Sequence, residues 1–198
     1  MGTLANLITG VGTVYTAPFG EPKVEKNDLA PPAITVTPGG NWVATGFTRD
    51  GVKILYEPTI EPVFVDQHDG PVKWDKIAER CKVSFVVAEQ DVEAWEIAIA
   101  ACTQSAVAAA ADQTAQSIVK VGDDTITPIA MMIVGNSPTA DADSIIEFHR
   151  VIQTGSPEIS MMKKQEGLQV EFDVGCDVTQ TAGERFFVKT DITAVASS

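Results

Sequence analysis

Histidine and cysteine are scarce in this chain of 198 residues: two histidines, His68 and His149, and three cysteines, Cys81, Cys102 and Cys176. The cysteines are odd in number, widely spaced and never in a CxxC pair, so neither a disulfide framework nor a zinc site is expected. They read as reduced, buried apolar residues of a protein made in a cytoplasm. The sequence also lacks GxSxG, HExxH and the P-loop GxxxxGK[ST], and its serines have no histidine partner in local sequence. Gly10 and Gly12 in TGVGTVY make half of a dinucleotide fingerprint, but they precede the β-favouring Thr13, Val14 and Tyr15 where a helix should open. No catalytic, cofactor-binding or metal residue is expected, and the chain reads as a non-enzyme.

Long apolar runs are missing too. Nothing approaches the roughly 18 residues of a membrane span, and the start MGTLANLITGVG has neither the basic region nor the apolar stretch of a signal peptide. A protein without membrane contact, not secreted by the usual route, is expected. Basic residues are few: 14 Lys and Arg stand against 27 Asp and Glu, a formal charge of -13. Affinity for phosphate comes mainly from Lys and Arg, so tight nucleic-acid binding is disfavoured.

What is present is strand-forming sequence. A hydrophobic fraction of 44% and a charged fraction of 21% are globular values, and the length suits a single domain over residues 1–198. A first strand is expected in Gly10–Pro18. The segment from Phe19 to about residue 41 holds Pro22, Pro31, Pro32, Pro38, Gly39 and Gly40, which excludes a helix or a central strand and leaves a long loop. Strands follow at Trp42–Thr45, Val52–Glu57, Ile60–Gln67 and Val72–Ala88. The His68-Asp69-Gly70-Pro71 break marks a hairpin turn. In the returning strand Cys81, Val83, Phe85 and Val87 alternate with Arg80, Lys82 and Ser84, as in a half-buried strand. Its first half, Lys73 to Glu79, is more polar, which predicts a hairpin that projects beyond the core it roots in.

The period changes once. Val92, Trp95, Ile99 and Cys102 recur at helical spacing, with Asp91 placed to cap and Glu93 in the first turn, predicting a helix over about 91–103 with Trp95 as its core anchor. The Ala-rich Ser105–Ala115 stretch reads as helix extension or loop. Further strands are expected at Ser117–Val121, Thr125–Val134, Ser144–Gln153, Glu158–Met162, Leu168–Cys176 and Arg185–Ile192. Leu168, Val170, Phe172, Val174 and Cys176 alternate with Gln169, Glu171 and Asp173, which predicts one buried and one acidic face. Together these predict a mainly β fold, an antiparallel β-sandwich or barrel with one flanking α-helix. His68 reads as part of a solvated turn, and His149, sharing a strand face with Glu147, as a paired surface or interface histidine.

The landmarks TGVGTVYTAPFGEP (Thr9–Pro22), WVATGFTRDGVKILYEP (Trp42–Pro58), the extended Val65-Asp66-Gln67 and VSFVVAEQDVEAW (Val83–Trp95) occur in an order that resembles the tail tube (major tail) proteins of long-tailed, siphovirus-type bacteriophages. The resemblance covers about residues 9 to 100. It implies a structural subunit of a phage tail in the virion, assembled in the host cytoplasm as hexameric rings stacked into a hollow tube. Viral DNA would pass through the lumen without tight binding. It also implies a tape measure protein, a tail terminator and a distal tail protein as partners. A carboxylate-lined tube repels phosphates over about one Debye length, roughly 8 Å at physiological salt. Candidate lining residues are Glu57, Glu61, Asp66, Asp75, Glu79, Glu147, Glu171 and Asp173. Lys53, Lys73, Lys76, Arg80 and Lys82 are expected to pair with carboxylates across strands or between subunits. The competing readings are a related ring protein (tail terminator or secretion-system tube) and a monomeric β-sandwich binding or decoration module. Against the last, Trp42, Trp74 and Trp95 fall in three separate elements and form no aromatic face.

Overall fold

The computed structural model describes residues 12–21, 40–46, 48–66, 68–88, 92–109, 114–136, 143–157 and 167–191. Among them are ten strands and one helix. The strands are β1 (Thr13–Pro18), β2 (Val43–Ala44), β3 (Thr48–Val63), β4 (Lys73–Val87), β5 (Cys102–Val107), β6 (Gln116–Val121), β7 (Ile129–Asn136), β8 (Asp143–Gln153), β9 (Leu168–Val174) and β10 (Phe187–Asp191); the helix α1 spans Val92–Ala98. The main sheet runs in the order β2-β1-β7-β8-β9-β4-β3, with β10 beside β8, and β5–β6 form a separate two-stranded sheet. All pairings are antiparallel.

A bulge lets one strand serve both halves of the sandwich. Residues Ser144–Phe148 of β8 pair with β10, and Val151–Gln153 pair with β9. Between these two stretches the register with β7 shifts from Met131↔Phe148 to Ile129↔Val151, placing two residues of β8, His149 and Arg150, against Ala130 alone. An extra residue bends and twists the strand that carries it, and here the sheet turns its corner. Val14, Met131, Ile133, Ile146 and Phe148 from one half then share a core with Cys81, Val83, Phe85, Val170 and Phe172 from the other. Phe85 and Phe172 stack at 6.0 Å between ring centroids. The expected alternation is present: Cys81, Val83, Phe85 and Val87 are buried, as are Leu168, Val170, Phe172 and Val174. Cys176 lies past the end of β9, half-buried, and all three cysteines are free thiols. Burial pushes the Cys81 thiol up to about 11.

The structure departs from the sequence expectations at several places. Val52–Glu57 and Ile60–Gln67 are not two strands: β3 runs unbroken through Pro58 to Val63, which an end strand tolerates because its proline nitrogen faces away from the partner. The helix ends at Ala98, well short of residue 103. Ile99 N–H still donates to Trp95 O at 3.0 Å, but Ala101 then adopts a left-handed φ of 55°. The Ala101 carbonyl accepts from Gly122 N–H and Asp123 N–H, so Cys102 opens β5. Its Ala-rich continuation is a strand to Val107, paired with β6, because cross-strand hydrogen bonding outweighs alanine's helix propensity. The helix buries Ala94 and Ala98 most deeply, with Trp95 half-buried beside them. Strand β2 is limited to Val43–Ala44, and β7 starts at Ile129, later than Thr125. The Glu158–Met162 strand, the Asp91 cap and most of the 19–41 loop lie outside the described residues.

Candidate interaction surface

Beyond Cys81 the β3–β4 hairpin leaves the body. The pairing of β4 with β9 stops at Cys81↔Val174, whereas its pairing with β3 continues to Val63↔Lys73. Seven residues of β3, Glu57 to Val63, therefore form a free two-stranded ribbon about 20 Å long at 3.3 Å per residue. Its turn is closed by Val72 N–H donating to Val63 O and His68 N–H to Val65 O. The projection expected from the polar first half of β4 is present.

The ribbon has two different faces, because directly paired residues in antiparallel strands point the same way. One carries Tyr56, Pro58, Ile60, Pro62 and Trp74, together with Lys76 and Glu79. Here the Tyr56 hydroxyl donates to Glu79 Oε2 at 2.6 Å and the Lys76 ammonium donates to the same oxygen at 2.7 Å. These bonds, the one from Lys76 first, hold the Glu79 carboxyl below the usual carboxylate range, and Lys76 and Tyr56 are pushed up in return. The opposite face carries Glu57, Glu61 and Asp75, with Glu61 directly across from Asp75. Lys73 relieves that like-charge contact through an ion pair to Asp75 at 2.6 Å. Asp66 is exposed at the tip.

The ribbon's apolar groups are unusually uncovered. Eight of the thirteen exposed large hydrophobic residues among those described lie between Leu55 and Ile77, with Trp74 62% and Phe64 64% exposed. Of these, Tyr56, Ile60 and Trp74 share the first face of the hairpin, and exposed apolar groups gathered on one face mark interaction sites. The outer side of β3 also has no strand beside it among the described residues. A proline in a paired strand sits where its nitrogen points away from the partner. Pro58 and Pro62 therefore place the outward-facing nitrogens at Ile54, Tyr56, Pro58, Ile60 and Pro62. The outer edge is thus a usable template along its first half and loses alternate donors along the ribbon.

The eight candidate carboxylates do not form one surface. Glu57, Glu61 and Asp75 share the second face of the ribbon, with Asp66 at its tip; Glu79 faces the other way. Glu171 and Asp173 lie on the outer face of β9 and are neutralised by β4: Lys82 binds Glu171, and Arg80 donates to both oxygens of Asp173 at 3.2 and 3.3 Å. Both are diagonal cross-strand pairs, since Lys82 stands opposite Asp173. The face expected to be acidic is a ladder of alternating charge. Glu147 sits apart: it and His149 are only 9% and 8% exposed, so His149 is a buried residue and not a surface one. Both line a cavity of about 400 Å³ with Asp177, whose carboxylate accepts from Thr179 and Gln180 and is held low mainly by Thr179.

A second cavity, of about 510 Å³, was not legible from the sequence because seven elements build it. Its walls come from the end of β1, from β2, from the end of α1 into β5, and from the connection before β7; Gln153 and Phe172 also line it. Gln153 is fixed by donating Nε2 to the carbonyls of Ala98 and Gly155. Ile97, Ile99, Ile126 and Val43 make much of the lining apolar, and the charged residues among its described lining are Glu96 and Asp123. Among the described residues no group of His, Cys, Asp and Glu is arranged to hold a metal ion, and no helix is long and apolar enough to cross a membrane. The chain matches no protein-family profile, and a search of curated proteins finds no match.

Proposed function

We propose that this protein is a structural subunit that assembles with copies of itself into rings stacked as a hollow tube, the tail tube of a long-tailed bacteriophage. DNA passes through the lumen of that tube. One observation carries the assembly part: a β ribbon rooted in the core projects an apolar face that nothing else among the described residues covers. Such a face is costly to leave in water and gains free energy when a partner covers it, at about 25 cal/mol per Å² of apolar surface. The open first half of the β3 edge supports the same reading, since joining subunits removes exposed edges. The tube and its cargo rest on the resemblance of the sequence landmarks, and the formal charge of -13 suits a wall that phosphates slide past.

Within this reading the repelling surface is the second face of the ribbon, with Glu57 and Glu61, because Glu171 and Asp173 are already matched by Lys82 and Arg80. Electron microscopy of the purified protein at high concentration tests assembly: hollow tubes or six-fold rings are expected, and a persistent monomer overturns it. Glu57→Lys with Glu61→Lys tests the lining role. Tubes of normal appearance that deliver DNA poorly are expected, and unchanged infectivity removes these residues from the channel.

A further inference from the structure

We infer that the 510 Å³ cavity beside β2 receives the apolar ribbon face of a second copy of this chain, with the Trp74 indole as the inserted group. The inference rests on the assembly reading and names its contact. The ribbon is made by β3 and β4, the last two strands at one end of the sheet order, and the cavity is walled in part by β2 at the other end. They share no residue, and Trp74 stands 62% exposed, so the two do not meet within one chain. Knob and socket are different patches, and contacts between different patches join subunits head to tail, closing a ring where the rotation allows.

Size and charge both fit. A volume of about 510 Å³ falls within the range of clefts that bury most of a small ligand, about 300 to 1,000 Å³. It has room for the indole and for neighbours on the same ribbon face. Lys76 stands near Trp74 on the same ribbon face, its exposed ammonium bonded to Glu79, whereas the cavity carries the carboxylates of Glu96 and Asp123 and, among the described residues that line it, no cation. Complementary charge of this kind orients the approach of two surfaces more than it adds affinity. An aromatic anchor entering an apolar pocket is the usual centre of such a contact.

Sedimentation velocity on variants tests this. Trp74→Ala, at an exposed position, should fold normally and raise the concentration needed for assembly about thirtyfold or more. Ala44→Trp, which fills the mouth of the cavity from β2, should do the same; if it melts early, Thr125→Trp on the exposed connection before β7 replaces it. Each variant retains one intact half of the contact, so mixing the knob-deficient and socket-filled proteins should yield a 1:1 complex and nothing larger. Lys76→Glu should impair assembly, and Glu96→Lys with Asp123→Lys in the same chain should restore it. Wild-type protein that stays monomeric at every concentration overturns the assembly reading itself. Tubes that form at unchanged concentration with Trp74→Ala, or a folded mixture that stays monomeric, overturn this contact and leave assembly standing.

Discussion

Phe172 belongs both to the core and to the wall of a cavity. It is fully buried, stacks on Phe85 and helps line the larger cavity. Phe172→Ala should destabilise the fold by about 3–5 kcal/mol, from lost burial plus the space left behind, seen as a lower denaturation midpoint in urea. Gly167, just before β9, is restricted for a different reason: a Cβ there would stand 2.7 Å from the Val87 carbonyl oxygen and also press on the Val86 side chain. Gly167→Ala should cost about 1–3 kcal/mol, in the same measurement. The alternation that places Phe172 inward was legible from Leu168 to Val174. The crowding at Gly167 was not, because it depends on a strand some eighty residues earlier.

The ribbon is the element whose behaviour depends most on pH and on proline. Glu79 is held below its ordinary 4.5, so its contribution is present above that value and is lost as pH falls through the lowered one. Tyr56 and Lys76 are raised above 10.0 and 10.5, so their contributions are present below those values and are lost as pH rises through the raised ones. Cross-strand nuclear Overhauser contacts near Tyr56 and Glu79 should persist from 4.5 to 10.0 and fade outside that window. Glu79→Gln should remove the acid limb. The prolines act on the backbone: Pro58→Val with Pro62→Val restores outward donors along an apolar strand, and faster formation of thioflavin-binding aggregates is expected. Sequence periodicity located the hairpin and its amphipathic root because both are local. It split β3 at Pro58, since nothing local distinguishes an edge strand from a central one. It overran the helix because Ile99 and Cys102 continued the helical spacing past the turn at Ala101. The β5 strand stayed hidden because its partner, β6, supplies the reason it is extended.

For the molecule as a whole, the proposed contact between ribbon and cavity would make folding and association one linked equilibrium. A partner that binds only the folded chain stabilises it by mass action. The melting temperature of the wild type should therefore rise with protein concentration, while that of Trp74→Ala should stay flat, as scanning calorimetry over a dilution series would show. The sandwich and its single helix were readable from alternation and one change of period. The cavity was not, because its walls meet only after the sheet has turned at His149 and Arg150.

The continuity of that sheet has a mechanical side. A pull on the ribbon runs along the axis of β4 and loads its ladders to β3 and β9 in shear, all rungs at once. Yielding by a single step would carry Cys81, Val83, Phe85 and Val87 to the wrong face together. Tension taken up at the tip is thus delivered to the centre of the core, and α1, which follows β4 in the chain, lies off the load path.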